Sequence, residues 1–164
     1  MMKKDETIVL AVNPPVHILL ADDDRDDRFF FETVLTSMRI NTRFSTVENG
    51  EKLIEYLLKK EEKLPDVLFL DMNMPRKNGL ECMEEISLHE QLSSLPVIIY
   101  STYIQHEIAD QLYNLGAYHY VAKASLSELR TLLQYVVGMV RAKLFAKPGR
   151  KHFIRSREAI IPDL

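Results

Sequence analysis

One cysteine in 164 residues, Cys82, rules out an intramolecular disulfide. It sits beside Met83 and four residues before Ile86, on a helical apolar pattern, and so reads as a buried thiol rather than a reactive one. Long apolar runs are missing too: none reaches the roughly 20 residues that a membrane-spanning helix needs. The opening, Met1-Met2-Lys3-Lys4-Asp5-Glu6, lacks the apolar core and cleavage site of a secretory signal, and a cytoplasmic location is the expectation. There is no internal repeat and no low-complexity segment. The five histidines, His17, His89, His106, His119 and His152, show no metal-ligand spacing. What remains is 46% apolar and 27% charged, enough chain for one compact domain and too little for two of ordinary size.

Charge is unevenly spread. Residues 1–140 hold 14 Lys and Arg against 22 Asp and Glu, whereas residues 141–164 hold 7 against 2. The basic end includes Arg141, Lys143, Lys147, Arg150, Lys151, Arg155 and Arg157. Such a run is more often solvated, or docked on the chain's own acidic body, than bound to nucleic acid, which is not an expected partner.

Apolar periodicity predicts a strand and helix alternation from Val16 onward. Val16–Ala21 is apolar on both faces apart from His17, as a central parallel strand requires. A helix follows over about 26–38, then a weaker strand at Arg43–Val47 and a helix from Asn49-Gly50 with Ile54, Leu57 and Leu58 on one face. Val67–Leu70 is the third strand, Leu80, Met83 and Ile86 mark the third helix, and Pro96–Tyr100 is the fourth strand. Ile108, Leu112 and Leu115 mark a helix stopped at Gly116. Tyr118–Ala122 is the fifth strand, and Ser125-Leu126-Ser127-Glu128 has the form of a capping box opening a helix that reaches Leu144. Before all this, Asn13-Pro14-Pro15 separates a leader whose Ile8–Val12 is either a short added strand or unstructured. Five strands alternating with helices predict a doubly wound parallel sheet.

Ligands of such sheets gather at the carboxyl ends of the strands. There the sequence puts Asp22 and Asp23, Asp71, Ser101 and Lys123: carboxylates for a hard cation, a carboxylate able to act as nucleophile, a hydroxyl and an ammonium. That set suits phosphoryl transfer to an aspartate, because the cation and the lysine offset the charge of the phosphoryl oxygens. Plainer readings exist for each residue taken alone. Asp22-Asp23-Asp24 could only cap a helix, Asp71 could be a turn residue, Ser101 a helix cap, and Tyr120 a half-buried strand aromatic.

Four blocks in order carry a resemblance. They are Leu19-Leu20-Ala21-Asp22-Asp23-Asp24, Leu70-Asp71-Met72-Asn73-Met74-Pro75 through Gly79, Pro96 through Ser101, and Gly116-Ala117-Tyr118-His119-Tyr120-Val121-Ala122-Lys123. Over roughly 16–140 the chain resembles the receiver domain of two-component response regulators. The resemblance implies a flavodoxin-like (βα)5 fold, strand order 2-1-3-4-5, with a leader at 1–15, a receiver domain at 16–147 and a basic tail at 148–164. It implies Asp71 as phosphoacceptor, and Asp22, Asp23, Asp71 and the Asn73 carbonyl as the Mg²⁺ set. Ser101, Tyr120 and Lys123 are then the switch and phosphate-binding residues. The implied partners are a sensor histidine kinase or histidine phosphotransfer protein and a downstream protein target, with a homodimer possible. The chain would accept a phosphoryl group on itself rather than act as a conventional enzyme.

One departure stands out: Ala124 follows Lys123 where the family usually has a proline in a cis bond. A trans bond there would re-aim the lysine, and a cis bond to alanine would be strained. Two other classes compete. A hydrolase of the haloacid dehalogenase type also uses an aspartate nucleophile, but wants a second aspartate where this chain has Asn73, and a cap domain for which there is no room. A receiver-shaped adaptor that is never phosphorylated is disfavoured by the intact acidic pocket and mildly favoured by Ala124.

Overall fold

A computed structural model describes residues 14–155. The leader's Ile8–Val12 and the end of the basic tail, Arg157 included, lie outside those residues. The chain alternates β1 (Val16–Ala21), α1 (Arg25–Ser37), β2 (Thr42–Val47), α2 (Gly50–Leu57), β3 (Val67–Leu70), α3 (Gly79–Leu88), β4 (Val97–Ser101), α4 (Ala109–Asn114), β5 (His119–Ala122), α5 (Leu126–Arg141) and β6 (Ile154–Arg155). All strand pairs are parallel, in the order β2-β1-β3-β4-β5-β6. Among the described residues no helix is long and apolar enough to cross a membrane.

Successive side chains of a strand face opposite ways, so each inner strand feeds two cores. Leu19, Leu68, Leu70 and Ile99 pack with Leu53, Met83, Ile86 and Leu112 from α2, α3 and α4. Ile18, Leu20, Phe69 and Tyr100 pack with Phe31, Val34, Leu129 and Leu133 from α1 and α5. Phe31 organises the second core, stacked on Phe44 and edge-on to Phe69 with ring centroids 5.4 and 5.1 Å away. Cys82 lies in the first core, where burial pushes its thiol up to about 12 and makes it inert.

The helices are held by local chemistry. Asp24 caps α1, accepting from the Asp27 amide at 3.0 Å, and Asp26 and Asp27 follow in its positive first turn. Ser125 accepts from the Glu128 amide, forming its half of the expected box. Both halves of a box form at Asn78–Glu81, which opens α3. Gly116 takes φ +112°, the conformation expected of a helix stop. The last helix is shorter than the apolar pattern predicts. It ends at Arg141, because Lys143 turns to φ 57° while its amide and that of Leu144 bond back to the Val140 and Met139 carbonyls. That closure satisfies the exposed carbonyls of the final turn, with lysine where glycine is usual.

Beyond it the basic segment returns to the sheet as a sixth strand, which two residues of strand leave no periodicity to announce. Ile154 lies opposite Tyr120, and the Tyr120 amide donates to the Phe153 carbonyl at 2.9 Å. Phe153 is fully buried against the rings of Tyr113 and Tyr120. The Tyr113 hydroxyl donates to the Pro148 carbonyl, Lys147 sits 3.9 Å over the Tyr113 ring, and Arg150 pairs with Asp110.

His119 is buried under this segment, its Nδ1 accepting from Arg155 Nε at 3.3 Å. Burial first, then the Arg155 charge, lowers its pKa to about 4. Between pH 6.5 and about 4 the unfolded chain therefore binds a proton at this imidazole that the folded protein refuses, and stability falls as pH falls through that window. Urea unfolding at pH 7 and pH 4.5 should show a smaller loss for His119→Gln than for the unmodified protein; equal losses would remove His119 from the account.

Candidate functional site

Register brings the strand ends level. Ala21 pairs with Leu70, Leu70 with Ile99, and Ser101 with Ala122, so the residues that follow or close these strands share one edge. Asp22, Asp71, Ser101 and Lys123 meet there. Carboxylate oxygens of Asp22, Asp23 and Asp71 lie within 4.8 Å of one another. Asp22 and Asp71 are buried, whereas Asp23 is exposed and closes the cluster from the solvent side.

Each oxygen of Asp71 has a defined neighbour. Oδ1 accepts from Ser101 Oγ at 3.1 Å and from the Asn73 amide at 3.2 Å, and Oδ2 accepts from Lys123 Nζ at 3.3 Å. Asp22 Oδ1 accepts from the Asp24 amide at 2.9 Å. Asp22 Oδ2 is buried with no hydrogen-bond partner: Lys123 Nζ is 2.7 Å away, close enough for charge but outside hydrogen-bond geometry. A buried carboxylate oxygen with no hydrogen bond, ion-paired to Lys123 and beside two further carboxylates, belongs to the donor set of a hard divalent cation, and the residues present fit one.

Burial raises the Asp22 pKa to about 6 against the opposing pull of Lys123 and the Asp24 amide, and the Asp71 charge adds to the rise. For Lys123 burial acts downward, but the close Asp22 and Asp27 carboxylates and the Asp71 charge outweigh it, so the ammonium holds its proton more firmly than an ordinary lysine. No cis peptide bond occurs among the described residues, so Lys123–Ala124 is trans. The trans bond does not carry the lysine away; it still reaches Asp22 and Asp71.

Tyr120 is fully buried rather than half-buried. Its hydroxyl donates to the Tyr103 carbonyl at 3.1 Å and accepts from the Gln105 amide at 3.0 Å, tying down the loop after Ser101. Two glycines set the wall behind Asp71. A Cβ on Gly79 would fall 2.7 Å from the Asp71 carbonyl, and one on Gly50 would fall 2.1 Å from the Lys77 carbonyl. The residue that sequence reasoning missed is Asp27, whose Oδ2 accepts from Lys123 at 2.7 Å. Its position four residues after Asp23, one helical turn into α1, was the available signal.

The family model described as response regulator receiver domain matches residues 18–134. Response regulator Rcp1 of Synechocystis sp. is 28% identical over 131 residues, which cover 77% of this chain and 88% of Rcp1. Other curated relatives match over 14% to 39% of their own length. Among solved structures, the phosphorylated cyanobacterial phytochrome response regulator RcpA superposes with a TM-score of 0.67 at 26% identity, covering 82% of this chain and 99% of that one. The Mn²⁺-bound form of Rcp1 gives 0.66 at 25%, covering 82% and 100%.

Proposed function

Since the chain belongs to the response regulator receiver domain family, we propose that Asp71 is its phosphoacceptor and that a sensor histidine kinase or a histidine phosphotransfer protein is the donor. The observation that carries this is the set of contacts on Asp71: one buried carboxylate faced by a hydroxyl, an amide and an ammonium. An Asp71 oxygen bonds to phosphorus as the phosphorus–nitrogen bond of a phosphohistidine breaks, and the electron pair of that bond stays on the imidazole. Lys123 and Ser101 are placed to meet the phosphoryl oxygens, an ammonium and a hydroxyl already within reach of the acceptor. Asp22, Asp23 and Asp71, with the Asn73 carbonyl, would hold Mg²⁺ or Mn²⁺, which supplies further positive charge against those oxygens. The Mn²⁺-bound Rcp1 structure and the cluster of three carboxylates both support a divalent ion here.

Tyr120 links this chemistry to the surface. If Ser101 shifts onto a phosphoryl group, the loop that Tyr120 holds at Tyr103 and Gln105 must follow, and the neighbouring α4 and β5 face changes with it. A downstream protein target, or a second copy of the chain, would read that face. The receiver region would signal by changing partners, with autodephosphorylation ending the signal.

Incubation with acetyl phosphate and Mg²⁺ tests the proposal by intact mass: one labile phosphoryl group gained supports it, and no gain under conditions that label another receiver overturns it. Tyr103 bears on the lifetime of the label. Its carbonyl is held but its ring is 75% exposed, two residues beyond Ser101, free to fold over the pocket mouth and exclude water. Tyr103→Glu should shorten the lifetime severalfold in a decay assay after removal of acetyl phosphate; an unchanged decay would leave the ring without this role.

A further inference from the structure

The Lys123 ammonium has three protons and three carboxylates around it, and the shortest well-formed hydrogen bond goes to neither member of the buried pair. It goes to Asp27, on the first turn of α1, at 2.7 Å. The bond to Asp71 is longer, 3.3 Å, and Asp22 Oδ2 at 2.7 Å is off axis. Asp27 is half-exposed while Asp22 and Asp71 are buried, so the ammonium is drawn toward the pocket rim. Lys123 and a divalent cation want the same Asp22 and Asp71 oxygens, because each neutralises the same buried charge.

We infer that Asp27 is a positioning residue which holds Lys123 toward the pocket rim and so lessens its competition with a divalent cation for the Asp22 and Asp71 oxygens, which the ammonium also reaches. Without the Asp27 charge, Asp22 and Asp71 are the ion-pair partners left to the ammonium among the described residues, and it would compete with the metal for both. With Asp27 sharing the ammonium, Asp22, Asp23 and Asp71 would keep oxygens with which to hold a divalent ion. The role rests on the metal-assisted reading proposed above, but it is separable from it in experiment.

The test is Mn²⁺ binding without any phosphodonor, followed by the electron paramagnetic resonance of free Mn²⁺. Asp27→Asn should weaken binding about fivefold, the size expected for losing one partly exposed charge contact. In a Lys123→Met background, the same Asp27→Asn substitution should change the affinity by less than about twofold, because the effect travels through the lysine. Lys123→Gln serves as a second background should the Met variant fail to fold. An equal loss with and without Lys123 would overturn the inference, since Asp27 would then act only through its own field. No loss in the unmodified background would overturn it as well. Absence of Mn²⁺ binding by the unmodified protein would bring down the metal reading first, and this role with it.

Discussion

Asp71→Asn should abolish labelling by acetyl phosphate, a fall of more than about a hundredfold that would leave no phosphoryl group detectable by intact mass. The size follows from chemistry rather than packing. An amide oxygen is neutral and its electron pair is delocalised, so it cannot form the acyl phosphate, and among the described residues no other carboxylate receives both the Ser101 hydroxyl and the Lys123 ammonium. The fold should be untouched. Asparagine keeps the oxygen that Ser101 and the Asn73 amide address, and Lys123 retains Asp22 and Asp27. Thermal unfolding within about 3 °C of the unmodified protein would show that the lost label is a lost nucleophile. A variant that still labels fully would move the acceptor elsewhere, and Asp22 and Asp23 would be the residues to replace next.

Phe153→Ala should cost about 3–5 kcal/mol, a drop of roughly 10 °C in the unfolding midpoint. The ring is fully buried between Tyr113 and Tyr120, and removing it leaves a cavity beside a tyrosine that holds the switch loop. Its place in the chain makes the prediction pointed: it lies past the last helix, in the segment that charge alone reads as either solvated or docked on the chain's own acidic body. Should the midpoint move by less than 2 °C or so, the segment is a loose cover rather than part of the core. Measuring acetyl phosphate labelling of the same variant would show whether the pocket depends on that packing.

The contrast between those two residues explains what was legible in the sequence. Asp71 ends an apolar strand and stands in register with Asp22, Ser101 and Lys123, so strand periodicity and a rule about sheet edges suffice to gather them. The inner strands were readable because burial on both faces demands near-continuous apolar runs, as in Val67–Leu70. Phe153 has no such signal. Two residues of strand carry no period, and the flanking Arg150, Lys151 and Arg155 suggest solvent; only the long-range pairing of Ile154 with Tyr120 reveals the sixth strand. The end of α5 escaped for a related reason, because Lys143 takes a left-handed conformation that nothing in its side chain announces. Asp27 was hidden differently: as one of five aspartates within Asp22–Asp27, its partner depends on the direction in which Lys123 reaches, and the sequence does not contain that vector.

The two glycines behind Asp71 have a mechanical consequence. Gly50 and Gly79 bring backbone so close to backbone that the stretch from Met72 to Lys77 is braced on both sides. Adjustment to the bulk of a phosphoryl group is then expected from the loop after Ser101, which the Tyr120 hydroxyl ties down at Tyr103 and Gln105 and which Ile104 packs onto the core. The pocket behaves as a vice with one fixed jaw and one sprung jaw, and the spring is the Tyr120 hydroxyl.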